Sequence, residues 1–108
     1  MSYIEVAKTT DLSPGRMKSV TVNDNVILVV NYQGNFYAIR GKCTHMGGDL
    51  SKGKLDGKLV TCPRHKSVFD VTTGECISGP KLPIIKPKVK DEPTYEVKVE
   101  GNSIRIIV

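Results

Sequence analysis

Residues 62–70 read CPRHKSVFD, and residues 42–49 read KCTHMGGD. Between them these stretches hold both histidines of the chain, and each histidine lies within three residues of a cysteine. Neither stretch has apolar periodicity. Their glycines and proline mark them as loops between regular elements, about 41–50 and 61–70.

Outward from these loops, strand signals dominate. Tyr3 to Lys8 alternates loosely, and Leu12-Ser13-Pro14-Gly15 reads as a turn. Arg16 to Val22 is extended until Asn23-Asp24-Asn25 interrupts it. Val26 to Tyr32 is a β-branched run, and Gln33-Gly34-Asn35 is a short hairpin loop leading into Phe36 to Ile39. Beyond the second cysteine loop come Val68 to Val71, a turn at Thr72-Thr73-Gly74 and a short strand around Cys76 and Ile77. At the C-terminus, Tyr95, Val97 and Val99 are expected on one face, and Ile104, Ile106 and Val108 follow a turn at Gly101-Asn102. No segment carries a sustained i, i+3, i+4 apolar stripe. The expectation is an all-β chain, an antiparallel barrel or sandwich with little helix.

The 108 residues fit one domain, 1–108. The proline- and lysine-rich piece from Lys81 to Pro93 reads as a surface excursion or edge segment, because proline removes ladder donors. The N-terminus has no basic stretch followed by an apolar run, and the longest apolar run, Val26 to Val30, is far too short to cross a bilayer. A soluble, cytoplasmic protein is therefore expected, with no membrane partner. The net charge of +5 admits nucleic acid or an acidic protein as a partner. Six aromatic residues, none interleaved with a Lys/Arg run, argue against base stacking and hence against nucleic acid.

Three cysteines in such a chain read as ligands or thiols rather than as a disulfide framework. Two of them give Cys43-x-His45, a gap of sixteen residues, and Cys62-x-x-His65. Cysteine and histidine suit zinc or iron, unlike the oxygen ligands of calcium and magnesium. Zinc fingers place two cysteines on one turn and two histidines on a helix. Here each loop supplies one of each. That pairing suits a centre in which the cysteines hold one iron and the histidines another, with a structural zinc-binding interaction module as the alternative.

The segments CTHMGGDLSKG and VTCPRHKSVFDVTTGECISGP resemble the cluster-binding region of Rieske-type [2Fe–2S] proteins. The shared pattern is C-x-H, a glycine, C-P-x-H, then aromatic-Asp, T-G and G-P, over about forty residues. The resemblance implies a small antiparallel β domain whose two cluster loops project from one end. It implies one [2Fe–2S] cluster, with Cys43 and Cys62 on the inner iron and His45 and His65 on the outer. Stand-alone members similar to this chain also occur in archaea.

Departures from the pattern carry information. High-potential members have an extra cysteine in each loop, forming a disulfide, and the matching positions here are Gly48 and Arg64. The resemblance therefore points to the lower-potential, ferredoxin-like branch. Ser67 stands where those members use a serine to bond a cluster sulfur, and Phe69 stands where they use a tyrosine. The potential is expected between the extremes of the family. Where relatives often have glycine after the second histidine, this chain has Lys66. Lys42, Arg64 and Lys66 are expected to form a basic rim that docks acidic patches on partners. Cys76 is expected to be a buried, inert thiol, and Met46 to shield the cluster or pack its loop.

With both histidines committed, no Ser–His or Cys–His dyad is left, and no nucleotide-binding motif is present. The expectation is an electron-transfer protein and not an enzyme. It would be a monomeric, soluble carrier between an electron-donor reductase and an electron acceptor such as an oxygenase. The further alternative is a small Rieske subunit of a larger oxidoreductase complex.

Overall fold

In the computed structural model, which describes residues 3–43, 48–64, 66–78 and 91–107, the strands run antiparallel in three sheets. They are β1 (Tyr3–Lys8), β2 (Met17–Val22), β3 (Asn25–Tyr32), β4 (Asn35–Arg40), β5 (Lys54–Asp56), β6 (Leu59–Thr61), β7 (Val68–Asp70), β8 (Cys76–Ser78), β9 (Thr94–Tyr95), β10 (Val97–Glu100) and β11 (Ser103–Ile107). One sheet has the order β1-β11-β10, the second β2-β3-β4-β9 and the third β5-β6-β7-β8. Helix among the described residues is limited to two 3-10 turns, Thr9–Asp11 and Leu50–Lys52.

The run VILVV explains how the sheets are joined. Residues of a strand point alternately to its two faces, so five apolar residues in a row bury both. Ile27 and Val29 enter one core, with Ala38 of β4, Val6 of β1, Leu12, and Ile104 and Ile106 of β11. Leu28 and Val30 enter a second core, with Ile39, Leu50, Val60, Phe69, Val71 and both Cys43 and Cys62. The pairing Leu28↔Ile39 and Val29↔Ala38 keeps β3 and β4 in matching alternation. These two strands are thus a wall shared by a structural core and the core under the cysteine loops.

Turns hold the register. Gln33 and Gly34, at φ +54° and +89°, form the two-residue link between β3 and β4, a left-handed pair matched to the twist of a hairpin. Asn23 and Asp24 do the same between β2 and β3, so Asn25, expected in the interruption, already belongs to β3. The buried Asn31 donates to the carbonyl of Leu12 and accepts from the amide of Gly34, both at 2.8 Å.

Two features differ from the sequence expectations. The alternating stretch 94–100 divides between sheets: Tyr95 pairs with Ala38, whereas Val97 to Glu100 pair only with β11. Tyr95 and Val97 pack on the structural core, but Val99 on this edge strand is 45% exposed. Strands β5 and β6, between the cysteine loops, carried no sequence signal, because each is three residues long.

Candidate metal centre

The first cysteine loop leaves β4 under close restraint. The amide of Arg40 donates to the carbonyl of Pro93, and that of Gly41 to Val26. Lys42 and Asp49 then pair as an isolated antiparallel bridge, and the amide of Cys43 donates to the carbonyl of Gly48 at 2.7 Å. Asp49 caps the following 3-10 turn, accepting from the amide and hydroxyl of Ser51 at 3.0 and 2.6 Å. Leu50, fully buried, anchors that turn in the core beneath.

The second loop repeats this closure. β6 runs into Cys62, whose amide donates to the carbonyl of Ser67, again at 2.7 Å, before β7 begins. In both loops a cysteine amide thus reaches a carbonyl five residues on. Lys66 has φ +65°, the left-handed region that glycine enters without strain. The lysine that the sequence places where glycine was expected thus occupies backbone that glycine would enter freely.

The loops close on each other. Cys43 and Cys62 are 2% and 1% exposed and share one core. A Cβ on Gly48 would lie 2.8 Å from the Sγ of Cys62 and 3.2 Å from the Cγ of Arg64. Positions 48 and 64 are therefore neighbours, as the resemblance implied, and contact between the loops requires a residue without a side chain at 48. A Cβ on Gly53 would overlap the carbonyl of Thr61 and lie 3.2 Å from Pro63 Cδ, a second close approach between the two loops' flanks. Nothing local in the sequence around Gly53 or Asp49 marked either as part of the site.

Ser67 supplies the test of fit for a bound cluster. It is 1% exposed, and its Oγ has no hydrogen-bond partner among the described residues. A buried hydroxyl without a partner costs about 1–3 kcal/mol, so such a group implies an acceptor. A sulfur of an iron–sulfur centre is such an acceptor, and two buried thiols in one core, on loops that meet at Gly48, are the donor type iron requires. The residues present fit the group. His45, His65 and Met46 lie outside the described residues. Among the described residues no group of three or more His, Cys, Asp or Glu converges.

The aromatic-Asp and T-G elements of the motif are structural. Phe69 is fully buried, and its ring fills the core shared with the cysteines. Asp70 accepts from the amide and hydroxyl of Thr72 at 2.8 and 2.6 Å and pairs with Lys58 at 3.5 Å. Burial works to raise the Asp70 pKa, but the Thr72 bonds and the Lys58 ammonium outweigh it and hold the carboxyl below its ordinary value. Gly74, at φ +78°, donates to the carbonyl of Asp70, and a Cβ there would overlap the Glu92 carbonyl.

The end of the proline- and lysine-rich segment is not a free excursion. Asp91 accepts from the amide of Cys76 at 2.8 Å, Glu92 donates to Gly74 at 2.7 Å and is 3% exposed, and Pro93 accepts from Arg40. Residues 81–90 lie outside the described residues. Cys76 is half-buried rather than buried and packs against the core that holds Cys43 and Cys62. Lys42, Arg64 and Lys66 are all exposed, and none forms an ion pair among the described residues.

Fold and site together define an antiparallel β fold in which two cysteine loops meet at Gly48. The chain belongs to the Rieske [2Fe–2S] domain family, which it matches over residues 2–98, and the cluster of that family has two cysteine and two histidine ligands. It is 32% identical over 106 residues to the ferredoxin component of the naphthalene 1,2-dioxygenase system of Pseudomonas putida, covering 98% of this chain and 95% of that one. It is 30% identical to the ferredoxin component of biphenyl 2,3-dioxygenase of Rhodococcus jostii (strain RHA1), covering 98% and 92%. Among solved structures, the ferredoxin of carbazole 1,9a-dioxygenase from Nocardioides aromaticivorans IC177 superposes with a TM-score of 0.81 at 29% identity, covering 98% of this chain and 97% of that one. A chain in the complex of reduced oxygenase and oxidized ferredoxin of carbazole 1,9a-dioxygenase gives 0.84 at 30% identity, covering 96% and 91%.

Proposed function

We propose that this chain is a one-electron carrier of the Rieske ferredoxin type, taking electrons from a reductase and passing them to an oxygenase. The observation that supports the reading is that Cys43 and Cys62 are buried in one core, on loops closed by equivalent hydrogen bonds, and that the buried hydroxyl of Ser67 has no partner among the described residues. Cys43 and Cys62 would hold one iron as thiolates, and His45 and His65 the other through imidazole nitrogens. When bound, the cluster supplies a reversible one-electron couple. The chain's own contribution is to bury the thiols, close the loops and offer the Ser67 hydroxyl to a sulfur. We take residues 1–108 as one domain, acting as a monomeric, cytoplasmic electron-transfer protein and not as an enzyme. No helix among the described residues is long and apolar enough to cross a membrane.

Docking to acidic surfaces on both partners follows from charge. At the loop end, Lys42, Arg64 and Lys66 have no carboxylate partner among the described residues, whereas Lys8 and Lys98 on the far sheet are paired with Glu5 and Glu100. Unpaired cations around an electron-exit site speed encounter with a negative partner and lose that effect in salt.

A visible absorption spectrum of the protein as isolated, followed by low-temperature EPR after dithionite reduction, tests the reading. A red-brown protein with the reduced-state signal of a mixed His/Cys cluster is expected. A colourless protein with one zinc per chain, which iron and sulfide fail to reconstitute, would establish a structural zinc module instead.

A further inference from the structure

The stem of Arg64 and the sulfur of Cys62 both pack against Gly48 of the first loop. A Cβ built on Gly48 would lie 2.8 Å from Cys62 Sγ, 3.2 Å from Arg64 Cγ and 3.5 Å from Arg64 Cδ. Three atoms from two residues of one loop thus meet at a single point on the other. Cys62 is 1% exposed although Arg64, two residues on, is exposed. A long cationic side chain of this kind lays its methylenes on apolar surface and keeps its head in water. The guanidinium has no ion pair among the described residues, whereas Lys8, Lys58 and Lys98 each have a carboxylate.

We propose that Arg64 is a positioning residue with two separable actions on Cys62: its stem covers the sulfur against solvent and reagents, and its unpaired charge favours the more negative, reduced state of a centre held there. The inference rests on the reading of Cys62 as a cluster ligand. Cover follows from the stem alone. The charge effect follows because a cation near a poorly solvated sulfur stabilises added negative charge, which raises the midpoint potential. Lys42 and Lys66 are exposed as well, but no atom of either meets Gly48 within the distances given for Arg64.

Three variants separate the actions. Arg64→Ala removes stem and charge, Arg64→Met keeps an unbranched stem without charge, and Arg64→Lys keeps both in altered form. Two quantities are measured on the protein as isolated: the rate at which iodoacetamide bleaches the cluster's visible absorbance and alkylates the released Cys62, the latter read by peptide mass spectrometry, and the midpoint potential. Alkylation is expected to accelerate at least about threefold in Arg64→Ala, and to stay within about twofold of the parent in Arg64→Met and Arg64→Lys. The potential is expected to fall in both Arg64→Ala and Arg64→Met by about threefold in the reduction equilibrium, about 28 mV for one electron, and to recover in Arg64→Lys. A general loosening of the loop would move both readouts together in Ala and Met alike, and that result overturns the proposal. Unchanged alkylation and potential in Arg64→Ala overturns it too. A Cys62→Ser protein that keeps the parent's visible spectrum would instead overturn the ligand assignment beneath it.

Discussion

The amide of Cys62 donates to the carbonyl of Ser67 at 2.7 Å, so the second loop is closed by backbone alone while the Ser67 hydroxyl stays uncommitted among the described residues. Replacing Ser67 with alanine leaves that closure in place and removes only the buried donor. A hydrogen bond to sulfur stabilises the more negative state of an iron–sulfur centre, so its loss lowers the midpoint potential. A difference of about 1–2 kcal/mol between the two redox states corresponds to about 40–90 mV for a one-electron couple. Protein-film voltammetry of Ser67→Ala is expected to show a fall in that range with little loss of cluster. An unchanged potential would remove Ser67 from the site.

Gly48 is where the loops touch, and the space there is less than a methyl group needs. Its Cβ would stand 2.8 Å from Cys62 Sγ, closer than real Cβ contacts come, so Gly48→Ala forces the sulfur or the loop to move. Overpacking of this kind costs about 1–3 kcal/mol, more than the few tenths to 1 kcal/mol that alanine gains through the unfolded chain. The variant is expected to bind less iron per chain and to melt several degrees lower. Iron content and thermal melting check both halves, and full loading would show that the loops have slack there.

Lys66 gives a prediction of opposite sign. At φ +65° a lysine carries about 1–2 kcal/mol of left-handed strain that glycine does not, offset in part by the greater entropy glycine has when unfolded. Lys66→Gly is expected to be at least as stable as the parent, by up to about 1 kcal/mol, and Lys66→Val less stable by about 1–2 kcal/mol, because β-branching resists that region. Both variants lose the same charge, so the difference between their denaturation midpoints isolates the backbone term. Equal midpoints would mean that the bend is not held in the native loop.

The cysteine loops were legible as a candidate centre because their pattern is local in sequence. Cys43 and Cys62 stand beside their histidines, and the β-branched run from Val26 to Tyr32 marked a strand, although not that both of its faces are buried. What stayed hidden depends on contacts between distant residues. Gly53 looks like any turn glycine until Thr61 is brought against it. Glu92 reads as one more charge beside a lysine-rich stretch, yet pairing with Gly74 draws it to 3% exposure. The alternation from Tyr95 to Val99 suggested one continuous face. It could not reveal that the chain changes sheets within it, because partner choice is set by β4 and β11.

Asp70 makes the stability depend on pH in a defined direction. Its side chain is 8% exposed, and although burial opposes ionisation, bonds from Thr72 and the charge of Lys58 hold its pKa below the ordinary 3.8. A carboxyl depressed in the folded state adds stability that is fully present above its unfolded pKa and is lost as pH falls through the folded value. Asp70→Asn, which keeps an acceptor for Thr72 but gives up the charge, is therefore expected to be less stable than the parent at neutral pH. The gap should stay constant down to about pH 5 and close below about pH 4, as the parent's own carboxyl becomes protonated. Paired chemical-denaturation curves across that range measure the gap directly. A gap that persists undiminished into acid would place the role of Asp70 in the shape of its turn, with its charge contributing nothing.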